Sequence, residues 1–218
     1  MEHGRDELER SGEEYNAGEP TTPRQAASVI VLRGGSHGLE VLLVKRNPEA
    51  RFMGGAWVFP GGAVDRDERG QAHDGDAAHR AAALRELAEE ADVVLDDPGE
   101  LIPFSRWITP EQVRIRFDTR FFLIPAPGDA EPRPDGAETV DAGWFTPRAA
   151  LEAHRRGEIH LVFPTIKHLE QLSGFDSAQA LLAHAAEREV RPVEPKVLIS
   201  GETARIVLPG EPGYDEPA

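Results

Sequence analysis

The chain has 218 residues, of which 39% are hydrophobic and 29% charged, with a net charge of −15 and no cysteine. That length suits one compact domain with extensions. The negative charge argues against a nucleic-acid polymer or an anionic membrane as partner, because both attract a basic face. The lack of cysteine excludes disulfides and thiolate metal sites. No apolar run approaches the ~20 residues of a membrane span, and the acidic start MEHGRDELER lacks the apolar stretch of a signal peptide. The expected setting is therefore the cytoplasm.

In chain order, residues 1–20 carry seven acids against Arg5 and Arg10, with only Leu8 and Tyr15 as sizeable apolar groups. So little apolar surface cannot offset the entropy of ordering, and 1–22 reads as an acidic, disordered tail. Residues 26–32 and 39–44 are β-branched apolar runs about the turn cluster Gly34-Gly35-Ser36-His37-Gly38, a hairpin signal. Trp57-Val58-Phe59 reads as a short strand stopped at Pro60-Gly61-Gly62. Residues 76–91, rich in Ala, Leu, Glu and Arg, form the clearest helix, with Asp76 as its expected N-cap. Residues 113–124 alternate at first, placing Arg114, Arg116, Asp118 and Arg120 on one strand face. A strand at 142–145, helices at 147–156, 164–172 and 177–188, and a small hairpin at 197–199 and 205–208 complete the list, before an irregular end at 209–218. Hairpins together with helical crossovers imply an α/β domain with a mixed sheet. The domain is set at 23–190, with 191–218 as a C-terminal extension.

On a wheel of about 100° per residue, Glu86, Glu89 and Glu90 fall within a ~100° arc, while Leu84, Leu87 and Ala91 lie opposite. A solvated face of an acidic protein would show the same stripe. The alternative is a site for hard divalent cations, since Mg²⁺ takes carboxylate oxygens and keeps waters for substrate phosphates. Arg85, four residues before Glu89, is placed to orient a carboxylate. His79 falls near the acidic stripe and reads as a solvated residue at the helix start.

The upstream sequence decides between these readings. Strand, glycine turn, loop and then Arg85-Glu86-Leu87-Ala88-Glu89-Glu90 resembles the Nudix box, G-x5-E-x7-R-E-U-x-E-E-x-G-U, where U is a bulky aliphatic residue. Gly62 matches the leading glycine, Glu68 the first glutamate, and Val93 the last aliphatic position. Two departures stand out. Sixteen residues separate Glu68 from Arg85 where the box has seven, and Asp92 replaces a glycine. Asp tolerates the left-handed conformation that ends a helix better than most residues. The stretch 69–76, with two glycines and no large apolar residue, reads as a surface loop. The lengthened box, Arg106 to Pro110, Arg116 to Phe122, Trp144, Pro147 and Phe163-Pro164-Thr165 resemble a Nudix subgroup that includes coenzyme A diphosphatases.

The resemblance implies an α/β/α sandwich and a hydrolase of nucleoside diphosphates linked to another group. The small-molecule substrate would be coenzyme A or acyl-coenzyme A, with ADP-ribose or another nucleotide diphosphate as the alternative. It further implies Mg²⁺ or Mn²⁺ held by Glu86, Glu89, Glu90 and the Gly62 carbonyl, with Arg85 holding a glutamate in place. A homodimer is compatible with it. The general base would be a box glutamate or Glu138, a loop acid that otherwise reads as an ordinary surface carboxylate. Arg114 and Arg116 suit phosphate, or simply meet water, and Arg46 and Arg51 are further cations for a 3′-phosphate. Lys45, Phe52 and Trp57 lie near the expected cleft, the aromatics fitting either a base or the core. A catalytically silent ligand-binding module is the other class; it usually lacks a box carboxylate, and here all are present.

Overall fold

The computed structural model describes residues 2–4, 16, 18–35, 38–71, 75–95, 97, 100–128, 130–200 and 203–215. At its centre β2 (Arg24–Gly35) and β3 (Gly38–Arg46) form the expected hairpin, closed between Gly35 and Gly38. After it come β4 (Ala56–Val58), β5 (Gly61–Ala63), α1 (Arg66–Gln71) and α2 (Gly75–Ala91). β6 (Ile102–Ile108), β7 (Phe117–Pro125) and β8 (Thr139–Phe145) follow. The chain then runs through α3 (Pro147–Arg155), β9 (His160–Leu161), α4 (Phe163–Leu172), α5 (Ala178–Ala186) and β10 (Pro192–Val193). A separate three-stranded sheet joins β1 (Glu2–Gly4) to the hairpin of β12 (Thr203–Val207) and β11 (Lys196–Ser200).

The large sheet runs β10-β6-β7-β2-β3-β4-β9, with β5 added to β2 and β8 to β3. It is mixed, as expected: β2 pairs parallel to β7 and antiparallel to β3. Period-two alternation sends Ile30, Leu32, Val41 and Leu43 to one face, where they pack with Ala150, Ile166, Leu169 and Leu181 of α3, α4 and α5. Val29, Val31, Leu42 and Val44 go to the other face, against Ala82, Ala83, Leu87 and Ala91 of α2. This is an α/β/α sandwich.

Several expectations are corrected. Gly61 and Gly62 do not form a turn; they belong to β5, which lies against β2. The reason is close approach, since a Cβ on Gly61 would sit 2.5 Å from the Ala27 carbonyl oxygen. The stretch expected as loop after Glu68 opens as helix α1, while 72–74 lie outside the described residues. Glu68 starts that helix: its carboxylate accepts from the Asp65 N–H at 2.7 Å, one half of a capping box. Asp76 is not an N-cap but lies inside α2, accepting from Arg80 and Arg120. The alternation expected from 113 begins only at Phe117, the start of β7. His79 is buried rather than solvated and hydrogen-bonds Gln25 at 3.0 Å. Asp92 adopts φ 54°, the left-handed helix end anticipated for it. The tail expected to be disordered over 1–22 is ordered in part: Glu2–Gly4 form β1, and the Thr21 hydroxyl donates to the Arg114 carbonyl; residues 1, 5–15 and 17 lie outside the described residues.

Candidate functional site

The site is made where α2 crosses β5. The small residues Ala82 and Ala83 let the helix sit close to the sheet, and Leu87 and Ala91 lock its rotation. That rotation buries two of the three stripe acids instead of presenting all three outward. Glu90 is 2% exposed and Glu86 9%, while Glu89 stays in solvent. Glu90 accepts a hydrogen bond from the Gly61 N–H at 2.9 Å. Glu86 lies so close to Gly62 that a Cβ there would approach its carboxyl oxygen to 2.2 Å. The two glycines are therefore spacers that admit a helix carboxylate against strand backbone.

Arg85 organises the cluster. Its Nε donates to Glu68, one Nη donates to both Glu86 (2.8 Å) and Glu89 (3.0 Å), and the other Nη donates to the Ala63 carbonyl. Burial opposes its charge, but the bonds to Glu68 and Glu86 outweigh that and hold it protonated. Glu68 thus keeps a place in the site despite the long insert. Burial pushes the Glu90 carboxyl up to about 7, against the pull of the Gly61 N–H, with Glu86 and Glu138 adding like-charge repulsion. Burial likewise raises Glu86, only partly relieved by Arg85. Two desolvated acids side by side with elevated pKa mark a place built for something other than stability.

Glu86 and Glu90 open into a cavity of about 390 Å³, within the range of small-molecule sites. Gly62, Glu138 and Arg46 line it too. Glu138 sits just ahead of β8, its N–H donating to the Asp135 carboxylate at 3.0 Å. Arg46 reaches to 3.9 Å from Glu90 and donates to the Phe52 carbonyl. Arg51 and Arg114 are exposed and are not part of the cavity wall. Arg116 is corrected outright. It is buried, and its guanidinium donates to the carbonyls of Thr109 and Thr21 and to the Glu194 carboxylate, so no face remains for phosphate. Trp57 is core, packed edge-on against Phe145, and Lys45, paired across β3 with Trp57 and Asp141, lies outside the wall. Phe52 does line it, 5.8 Å from Phe117.

Residues not anticipated for the site are Arg24, Glu68, Trp107, Phe163, Pro195, Val197 and Ile206. The Asp65-x-x-Glu68 capping pattern was a readable sign of where Glu68 is held; nothing local in sequence signals Arg24. Among the described residues, no three His, Asp or Glu side chains are arranged to hold an ion as they stand. The arrangement gives the reason: Arg85 fills the space between Glu86 and Glu89. In donor type the cluster still suits a hard cation, since every candidate ligand is oxygen and two are desolvated carboxylates.

A sequence profile described as the NUDIX domain matches residues 22–163. A Caenorhabditis elegans chain named nudix hydrolase 7 is 31% identical over 69% of this chain; the match spans 60% of the nematode protein. The human acyl-coenzyme A diphosphatase NUDT19 is 24% identical over 90% of this chain and 82% of its own. The crystal structure of a NUDIX hydrolase from Alicyclobacillus acidocaldarius superposes with a TM-score of 0.69 at 31% identity, over 75% of this chain and 96% of that one.

Proposed function

The chain belongs to the NUDIX domain family, and from that premise we propose that it hydrolyses a nucleoside diphosphate linked to a second moiety, with coenzyme A or an acyl-coenzyme A as substrate. The observation that carries this reading is Glu90: a carboxylate 2% exposed, held by the Gly61 N–H beside Glu86 in a cavity that also carries Glu138 and Arg46. Glu86, Glu89 and Glu90, with the Gly62 carbonyl, are the residues that would hold Mg²⁺ or Mn²⁺. Such an ion supplies charge neutralisation for the diphosphate and a more acidic bound water. Arg85 positions three glutamates at once, Glu68 among them, and leaves the substrate to others. Glu138, at the cavity wall and close enough to raise the acids beside it, accepts the proton of the attacking water, a role for which Glu90 is the other candidate. Among the described residues, Arg46 is the cavity cation beside the acids and is available for phosphate, while Arg24 stands at the cavity's other end.

The coenzyme A reading is supported by the likeness to the human enzyme and by the need for a cation to meet a 3′-phosphate, which Arg46 can supply. The test is kcat/KM on coenzyme A, 3′-dephospho-coenzyme A and ADP-ribose with Mg²⁺ and with Mn²⁺. The proposal expects coenzyme A to be the best of the three, with at least a tenfold loss on removing the 3′-phosphate. ADP-ribose turned over a hundredfold faster than coenzyme A would overturn the substrate. Hydrolysis of none of them would overturn the class.

A further inference from the structure

The cavity does not end where the family profile ends. Pro195, Val197 and Ile206 line it, all beyond residue 163. Their route there is visible in the topology. β10 pairs alongside β6, with Val193 opposite Trp107. The chain therefore leaves the sheet edge beside Trp107 and enters the terminal hairpin, where Val197 and Ile206 are direct cross-strand partners. The hairpin is anchored to the domain. Glu194 receives the buried Arg116 guanidinium at 2.6 Å, the Tyr214 hydroxyl donates to the Glu194 carbonyl, and Lys196 donates to the Tyr214 carbonyl.

This wall lies away from the acids. Gly61 and Gly62 pair with Ser28 and Ala27, whereas Arg24 at the start of β2 pairs with Phe117. Three to four strand residues, roughly 10–13 Å, separate the two levels. Phe117 stands at the far level with Arg24, and Thr109, whose N–H donates to the Phe117 carbonyl, is beside it; Val113, Pro110, Ile108 and Trp107 line the cavity too, and Pro195, Val197 and Ile206 add only aliphatic side chains to it. A nucleobase would need hydrogen-bonding groups at its edges, and Pro195, Val197 and Ile206 offer none from their side chains. An aliphatic chain needs only apolar area.

We propose that Pro195, Val197 and Ile206 of the C-terminal segment form a specificity wall that takes an aliphatic chain on the non-nucleotide side of the substrate. The inference rests on the diphosphate-hydrolase reading, naming the kind of group that lies beyond the scissile diphosphate. The test uses adenosine diphosphate β-alkyl esters with ethyl, hexyl and dodecyl chains, on wild type and on the Val197→Thr, Ile206→Thr double variant, which keeps β-branching and strand preference while replacing apolar area with hydroxyls. Binding is read by calorimetry with Ca²⁺ and turnover with Mg²⁺, after melting curves confirm that the variant is folded. The expected result is at least tenfold tighter binding of the dodecyl than the ethyl ester in wild type, a ratio cut at least fivefold in the variant. Equal affinity for the three esters in wild type overturns the wall, and that result stands whether or not the variant folds. An unchanged ratio in a folded variant overturns it as well. If chain length tightens binding but neither these esters nor coenzyme A, 3′-dephospho-coenzyme A or ADP-ribose is hydrolysed, the hydrolase reading falls and the wall remains.

Discussion

At the scale of single residues, the site depends on two glycines and one buried acid pair. Substituting Gly62→Ala would put a methyl 2.2 Å from a Glu86 oxygen, so Glu86 must move. The variant is expected to lose on the order of 10²-fold in kcat, as for a lost catalytic interaction, with a melting temperature within a few degrees of wild type. A drop under threefold would show that Glu86 does not act from this position. His168 offers an independent check on the core. It is 1% exposed, ringed by Phe59, Phe104, Trp107 and Phe121, and paired with the Ser105 hydroxyl at 2.7 Å. Burial pushes its pKa down to about 3 from 6.5. The unfolded chain therefore binds a proton between pH 6.5 and 3 that the folded one refuses. This contribution is whole above pH 6.5 and is lost as pH falls toward 3, at up to about 1.4 kcal/mol per unit. Urea midpoints across that window should slope less steeply in His168→Phe than in wild type; identical slopes would contradict the burial. His79 and His168 show why such residues were not legible: a histidine reads as polar in a helical pattern, and only the tertiary partner, Gln25 or Ser105, makes it a core residue.

At the scale of elements, the strongly periodic segments were readable from the amino acids and the contact-driven ones were not. The hairpin of β2 and β3, helix α2 and the left-handed Asp92 follow from alternation, helix propensity and Asp tolerance of positive φ. β5 was hidden because glycine signals a turn as strongly as it signals close packing, and the Cβ clash with Ala27 that distinguishes them exists only in the fold. Arg116 was hidden for the same reason. Within an alternating run it counts as an exposed strand residue, yet β7 starts one residue later and the guanidinium turns inward to three acceptors. That arrangement fastens the segment at Thr21, the turn at Thr109 and the C-terminal extension at Glu194 together. Removing it as Arg116→Ala takes the donor from the part-buried bonds to the Thr109 and Thr21 carbonyls, and Glu194 is partly exposed, so the cost should be roughly 2–3 kcal/mol rather than that of a fully buried pair. Thermal unfolding should shift down by about 5–10 °C, whereas Glu194→Gln, which keeps an acceptor for the guanidinium, should shift it by far less. Equal, small shifts in both would mean that the staple holds nothing.

At the scale of the whole molecule, the proposed function asks an acidic protein to bind an anionic ligand. With a net charge of −15, its long-range field repels a nucleotide diphosphate, and among the described residues Arg24 and Arg46 are the cavity cations that counter it locally. Screening should then help association. Raising ionic strength from about 0.01 M to 0.15 M shortens the Debye length from about 30 Å to 8 Å, and kcat/KM should rise about twofold or more at fixed free Mg²⁺. A fall would mean that a strong local cation field dominates, and that more basic side chains meet the substrate than Arg24 and Arg46. No helix among the described residues is long and apolar enough to cross a membrane. The central claim, that the buried acids of α2 against β5 perform diphosphate hydrolysis, is tested most directly by one comparison. Nucleotide release from coenzyme A is measured with saturating Mg²⁺ for wild type and for Glu90→Gln, each confirmed folded by its melting curve. The account predicts turnover by wild type and a loss of about 10²–10⁴-fold in the variant; a folded Glu90→Gln protein within threefold of wild type would contradict it.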